Sequence, residues 1–133
     1  MRAMLFGLLI AMLAVNSAAA DPKAMQSVID RQLEAFKDDD FAQAMEFASP
    51  VLKRYFRTPE NFGRMVTQGY PMVWRPGTVR YLENRVEDGA HWQRVMIVDQ
   101  QGVTHILDYR MLETEQGWRI NGVQILDSAD FTA

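Results

Sequence analysis

The chain has 133 residues, a formal net charge of −3, 48% hydrophobic and 23% charged residues, and no cysteine. This length suits one domain, and the apolar content is too high for a disordered chain and too low for a membrane protein. The lack of cysteine excludes a disulfide scaffold, a thiol nucleophile, cysteine–zinc sites and a lipid-anchoring cysteine, and the acidic balance provides no overall basic footprint for nucleic acid.

Residues 1–20 read as an export signal. Arg2 gives a positive start, Met4 to Val15 is an apolar run, and Ala18 and Ala20 occupy the positions that signal peptidase accepts. Twelve residues of helix reach only ~18 Å, short of the ~30 Å hydrocarbon core. The expectation is cleavage near Ala20 and a periplasmic or secreted protein. Residues 21–133 then form a single α+β domain with no further membrane span. Without Arg2 the mature chain has 14 − 1 = 13 basic and 17 acidic residues, a net charge of −4.

Helical signals fill the first half. Asp21-Pro22 is a cap followed by a proline whose missing N–H costs nothing in a first turn. Met25, Val28, Ile29, Leu33 and Phe36 follow at helical spacing. Asp38 to Asp40 break this helix and cap the next, whose stripe is Phe41, Ala44, Met45 and Ala48. Ser49-Pro50 repeats the cap-then-proline pattern, and with Val51, Leu52, Tyr55 and Phe56 it predicts a short helix. Thr58-Pro59 does so again before Phe62, Met65 and Val66, and Gly69 and Pro71 end that helix.

Beyond Pro76-Gly77 the period becomes two. Strands are expected over about 79–86, 92–98, 103–112 and 118–126. Asp88-Gly89, Gly102 and Gln116-Gly117 form the turns, and the result is an antiparallel meander. In the last strand Trp118 and Ile120 fall out of phase with Val123 and Ile125. One extra residue at Asn121-Gly122 restores the phase, so a bulge is predicted there. Both faces of the second and third strands carry apolar residues. Helices would cover one face, and a second copy of the chain would cover the other, which predicts a homodimer.

Helices followed by a curved meander with a bulged last strand resemble the nuclear transport factor 2-like fold, a cone shared by ketosteroid isomerases and many small pocket proteins. Three blocks carry a closer resemblance: Phe47-Ala48-Ser49-Pro50, Gln68 to Pro76 (QGYPMVWRP) and Leu107-Asp108-Tyr109. With the closing strand Gly117 to Leu126, they are similar to the bacterial secreted family called domain of unknown function 4864, across essentially the whole mature chain. This resemblance implies the fold and no activity. The broader fold usually places a short hairpin where Val51 to Arg57 here read as helix. Its isomerase members use a first-helix tyrosine and a later carboxylate as oxyanion stabiliser and base. Overlaying the first helices puts Gln32 at the tyrosine position and, without a gap, the base position near Phe56, and neither residue can do that chemistry.

The remaining chemistry is sparse. His91 and His105 are isolated, Asp38 to Asp40 lack the spacing of a calcium loop, and no metal or cofactor is implied. The six methionines of the mature chain are scattered as packing residues, and none of Ser27, Ser49 and Ser128 lies in a nucleophile elbow. Tyr70, Trp74 and Arg75 cluster between two prolines where helices give way to sheet. His105 and Tyr109 share a strand face. These five residues are the candidate ligand-binding set. Lys53 to Arg94 holds eight basic and four acidic residues, a local excess of +4 that suits an anionic partner. The expected function is a non-enzymatic domain with a modest pocket for a small apolar or weakly anionic ligand. The alternatives are an interaction module with a filled core and, less favoured, an isomerase- or dehydratase-type enzyme using His105 or Asp108 as acid or base.

Overall fold

A computed structural model of the chain describes residues 20–126. The export segment up to Ala19, and Ser128, lie outside the described residues. Five helices precede four strands: α1 (Pro22–Lys37), α2 (Phe41–Glu46), α3 (Pro50–Phe56), α4 (Pro59–Gly69), α5 (Pro71–Trp74), β1 (Pro76–Glu87), β2 (Ala90–Asp99), β3 (Thr104–Thr114) and β4 (Gly117–Leu126). The strands pair antiparallel in the order β1-β2-β3-β4, an open curved meander with helices on one face. This is the α+β architecture expected from the sequence.

Local chemistry sets the helix ends. The side chains of Asp21, Asp40, Ser49 and Thr58 accept hydrogen bonds from first-turn N–H groups of α1, α2, α3 and α4. The three aspartates after α1 have separate jobs. Asp38 is the C-cap, Asp39 turns the chain at φ 53°, and Asp40 caps α2. Pro71 does more than end α4, because it opens the four-residue α5. At the β1–β2 turn Asp88 and Gly89 both have positive φ, as a two-residue hairpin loop requires.

The core lies between α1 and the inner sheet face. Met25, Ile29, Leu33 and Phe36 from α1 meet Val95, Ile97, Leu107, Tyr109, Met111, Trp118 and Ile120, all buried. Gly63 lets α4 approach α2, since a Cβ there would stand 2.8 Å from the Phe41 ring. The helix α3 forms where Ser49-Pro50 predicts it, in place of the hairpin of the broader fold, and it buries only part of its apolar surface. Leu52 and Phe56 face inward, whereas Val51 is 54% and Tyr55 76% exposed. A two-turn helix against one wall buries one i,i+4 row, and Val51 and Tyr55 form the adjacent row.

The predicted bulge is present. Arg110 pairs with Gly122 and Met111 with Ile120, leaving Asn121 as the extra residue. It has a structural use. The backbone of Ile120 pairs with the Phe47–Ser49 segment, and the fully buried Ser49 hydroxyl donates to Asn121 Oδ1 at 2.7 Å while accepting from Leu52 N. One side chain thus caps α3 and locks it to the bulge. Ser49→Ala removes both bonds and is expected to cost about 1–2 kcal/mol, measured by chemical denaturation.

A second irregularity, in β1, has no glycine to announce it. Tyr81 pairs with Val95 and Asn84 with Gln93, so Leu82 and Glu83 together oppose Arg94. Buried Gln93 satisfies the disturbed backbone. Its amide nitrogen donates to the carbonyls of Leu82 and Arg94, and its amide oxygen accepts from Asn84 and Gln26.

Candidate functional site: an apolar cavity under α3

A cavity of about 250 Å³ lies between the helices and the end of the sheet near the β4 bulge. Its floor is buried: Gln32 and Phe36 from α1, Phe62 and Val66 from α4, Tyr109 from β3 and Ile120 from β4, with Ala48 and Val73 beside them. Its rim is half-buried, formed by Leu52, Phe56, Met65, Tyr70, Gly122 and Val123, and here the cavity meets solvent. No acidic or basic side chain is part of the wall. A dry 150 Å³ apolar cavity accepts benzene, so this one has room for a substituted ring or a chain of similar bulk. It is slightly smaller than the usual range for ligand pockets, roughly 300–1,000 Å³.

The polar groups in the wall are neutral. Gln32 donates its amide to the carbonyl of Ala44 at 3.1 Å, and the Tyr70 hydroxyl donates to the carbonyl of Val123 at 3.2 Å. The fully buried Tyr109 hydroxyl has no hydrogen-bond partner. Burial, and secondarily the nearby Tyr70 phenol, pushes the Tyr109 pKa up, so it stays protonated at any physiological pH.

The five candidate residues divide. Tyr70 and Tyr109 line the cavity, whereas Trp74, Arg75 and His105 do not. Trp74 Nε1 donates to Asp39 Oδ1 at 2.8 Å. Arg75 grips the same carboxylate at 2.9 and 3.1 Å, stacks on the Trp74 ring and donates to the carbonyl of Phe36. These contacts tie α5 to the C-terminus of α1, where a cation suits the dipole. The hydrogen bonds from Trp74, then Arg75, hold Asp39 below the ordinary carboxylate range. His105 shares the inner face with Tyr109, as expected, but lies near the β2–β3 turn. There its Nε2 meets Asp99 Oδ2 at 2.8 Å. That contact, then the Val103 N–H, lowers the Asp99 pKa.

Asp108 points to the opposite face. It is buried beneath Arg85 and Arg94, which hold it with four hydrogen bonds of 2.9–3.3 Å. Burial raises its pKa, but the hydrogen bonds and charges of the two arginines outweigh that and keep it below the usual carboxylate value. Among the described residues no group of three His, Asp or Glu side chains could hold a metal ion. Likewise no described helix is long and apolar enough to cross a membrane.

Sequence reasoning missed most of the wall, including Phe36, Leu52, Phe62, Met65, Val66 and Val123. Gln32 and Phe56, the positions that the isomerase comparison singled out, both line the cavity, and that comparison was the available signal. Together the fold and cavity define a small α+β domain with an apolar pocket that opens to solvent and whose only polar side chains are neutral.

The family model described as Domain of unknown function (DUF4864) matches residues 18–133, and the chain belongs to that family. No curated protein matches it. Among solved structures, it is similar to the phospholipid-binding protein from Ralstonia solanacearum, determined in complex with a phospholipid. The identity is 18% and the TM-score 0.49, over 78% of this chain and 76% of that one.

Proposed function

We propose that the mature chain, released into the periplasm or medium by cleavage near Ala20, binds a small neutral apolar ligand without transforming it. The observation that carries this is the cavity itself: a buried apolar floor, a half-buried rim and no charged side chain in the wall. A carboxylate or ammonium group inside it would be desolvated without a counter-charge, at a cost of several kcal/mol or more. A weakly anionic ligand would need Arg75, whose guanidinium is engaged by Asp39 outside the cavity. Asp108 likewise lies outside the wall, in ion pairs with Arg85 and Arg94, and His105 lies outside it against Asp99, which disfavours acid–base chemistry in the cavity.

The test is native mass spectrometry of protein purified from a periplasmic extract, before and after denaturation and refolding. Extra mass that disappears on denaturation, on a chain starting near Asp21, is the expected result. A bare mass in both spectra, with no uptake of added neutral aromatics, would sink the ligand reading.

A separate observation supports self-association. On the outer sheet face Met96, Ile106 and Leu126 sit side by side in register across β2, β3 and β4. Light scattering that finds a dimer supports a second copy on this face, and a monomer at micromolar concentration removes it.

A further inference from the structure

The helix α3 carries two apolar rows where its one packed wall needs a single row. Leu52 and Phe56 form the cavity rim, and beside them Val51 and Tyr55 stand 54% and 76% exposed. At 100° per residue these four side chains occupy one continuous arc of the helix, with Arg54 bordering the exposed row and Lys53 the inward row. Arg57 follows as the C-cap. Arg54 and Arg57 are exposed, and Lys53 has one long contact, 3.7 Å to the exposed Glu46. Such an exposed pair holds its lysine weakly. Across the rim, Val123 is half-buried and Ile125 is 45% exposed, so the apolar surface continues from α3 around the cavity mouth onto β4.

Exposed apolar side chains flanked by cations are the arrangement that lies in the plane of a membrane interface. The apolar groups enter the headgroup boundary and the cations meet anionic lipid. We propose that α3 docks this protein on an anionic lipid surface, with Val51 and Tyr55 inserted, Arg54 and Arg57 over the headgroups, and the cavity mouth facing the bilayer. Charge complementarity selects this occupant: the segment has three cations, and the mature chain around it is acidic overall. The surface stands independently of what fills the cavity. Should both hold, an apolar ligand would pass between bilayer and cavity without crossing water.

The test is co-sedimentation of the mature protein with vesicles of phosphatidylcholine alone or with 30–50% phosphatidylglycerol (~30–50% gives a strongly negative surface). Wild type is expected to bind the anionic vesicles at low salt, and to bind the neutral ones at least tenfold more weakly. The loss of two cations in Arg54→Ala/Arg57→Ala is expected to lower partitioning to anionic vesicles by roughly 20-fold or more, at about 1 kcal/mol per cation. The variant Val51→Ser/Tyr55→Ser is expected to weaken it as well, and raised salt to release all three proteins. Arg54→Ala/Arg57→Ala should keep the wild-type unfolding midpoint, and Val51→Ser/Tyr55→Ser, which loses the edge contact of Tyr55 on Phe56, should stay folded with a small drop. Wild type that fails to sediment with anionic vesicles overturns the proposal, and so do folded variants that bind as wild type does. Vesicle binding alongside a bare native mass would remove the ligand reading alone. A filled cavity without vesicle binding would remove the docking alone.

Discussion

Asp108→Ala is expected to destabilise the protein by about 3 kcal/mol at pH 7. Asp108 is 3% exposed and compensates two guanidinium groups, Arg85 and Arg94, that lie against it. Removing one partner of a buried ion pair typically costs about 3–5 kcal/mol, because the remaining charge stays desolvated. Here the arginine side chains keep 27% and 19% exposure, which places the expectation at the lower end. Asp108→Asn retains one acceptor oxygen and is expected to lose less.

The pH dependence follows from the direction of the shift. The folded-state pKa of Asp108 lies below its unfolded value, so its stabilisation is fully present above the unfolded pKa of about 3.9 and fades as pH falls through the lowered folded value. Urea denaturation from pH 7 to pH 3 is the measurement. The gap between wild type and Asp108→Ala should stay level down to about pH 5 and narrow below about pH 4. A loss under about 1 kcal/mol at pH 7 would show that solvent screens the cluster as it does an ordinary surface pair.

Phe36→Ala is expected to cost about 4 kcal/mol, within the range of about 3–5 for a buried phenylalanine. Phe36 is 1% exposed, and its ring lies 5.8 Å from that of Phe62 and 6.2 Å from that of Phe41. Because it also forms part of the cavity floor, its loss enlarges an existing void instead of opening a new one. Neighbours have little reason to collapse into space they already leave empty, so the cost should sit high in the range. The same change should admit a bicyclic probe. Naphthalene is expected to raise the unfolding midpoint of the variant more than that of wild type, because a ligand that binds only the folded state stabilises it. Equal shifts in the two proteins would place ligand binding elsewhere.

Much of this architecture is written in local signals. Asp21-Pro22, Ser49-Pro50 and Thr58-Pro59 each mark a helix start because a cap and a proline act within a single turn. Asp88-Gly89 dictates its turn through φ alone. The β4 bulge is legible because its extra residue leaves a phase break between Ile120 and Val123. The bulge in β1 leaves no such trace. Its side chains are mixed on both faces, so no phase is broken, and it exists because buried Gln93 satisfies the displaced carbonyls. Yet it moves Arg85 to the outer face and so completes the clamp on Asp108.

The candidate site divides along the same line. Strand alternation alone places Tyr109 and His105 on the inner face, since side chains two apart point the same way. Alternation carries no information on how far along that face the cavity extends, and it ends before His105. Trp74 and Arg75 look like pocket residues in sequence because an aromatic beside a cation suits a ligand. Their partner is Asp39, 35 and 36 residues away, and it is the chain's return past the end of α1 that engages them. The spacing of Val51, Leu52, Tyr55 and Phe56 marks a short helix and does not say which of the four are buried. The width of the wall they pack against left two of them in solvent, and that width depends on where α4 and β4 lie in three dimensions. Caps, turns and phase are properties of a few consecutive residues and survive in the sequence. A cavity wall, a clamp and an uncovered helix face are properties of elements meeting, and they exist only once the chain has packed.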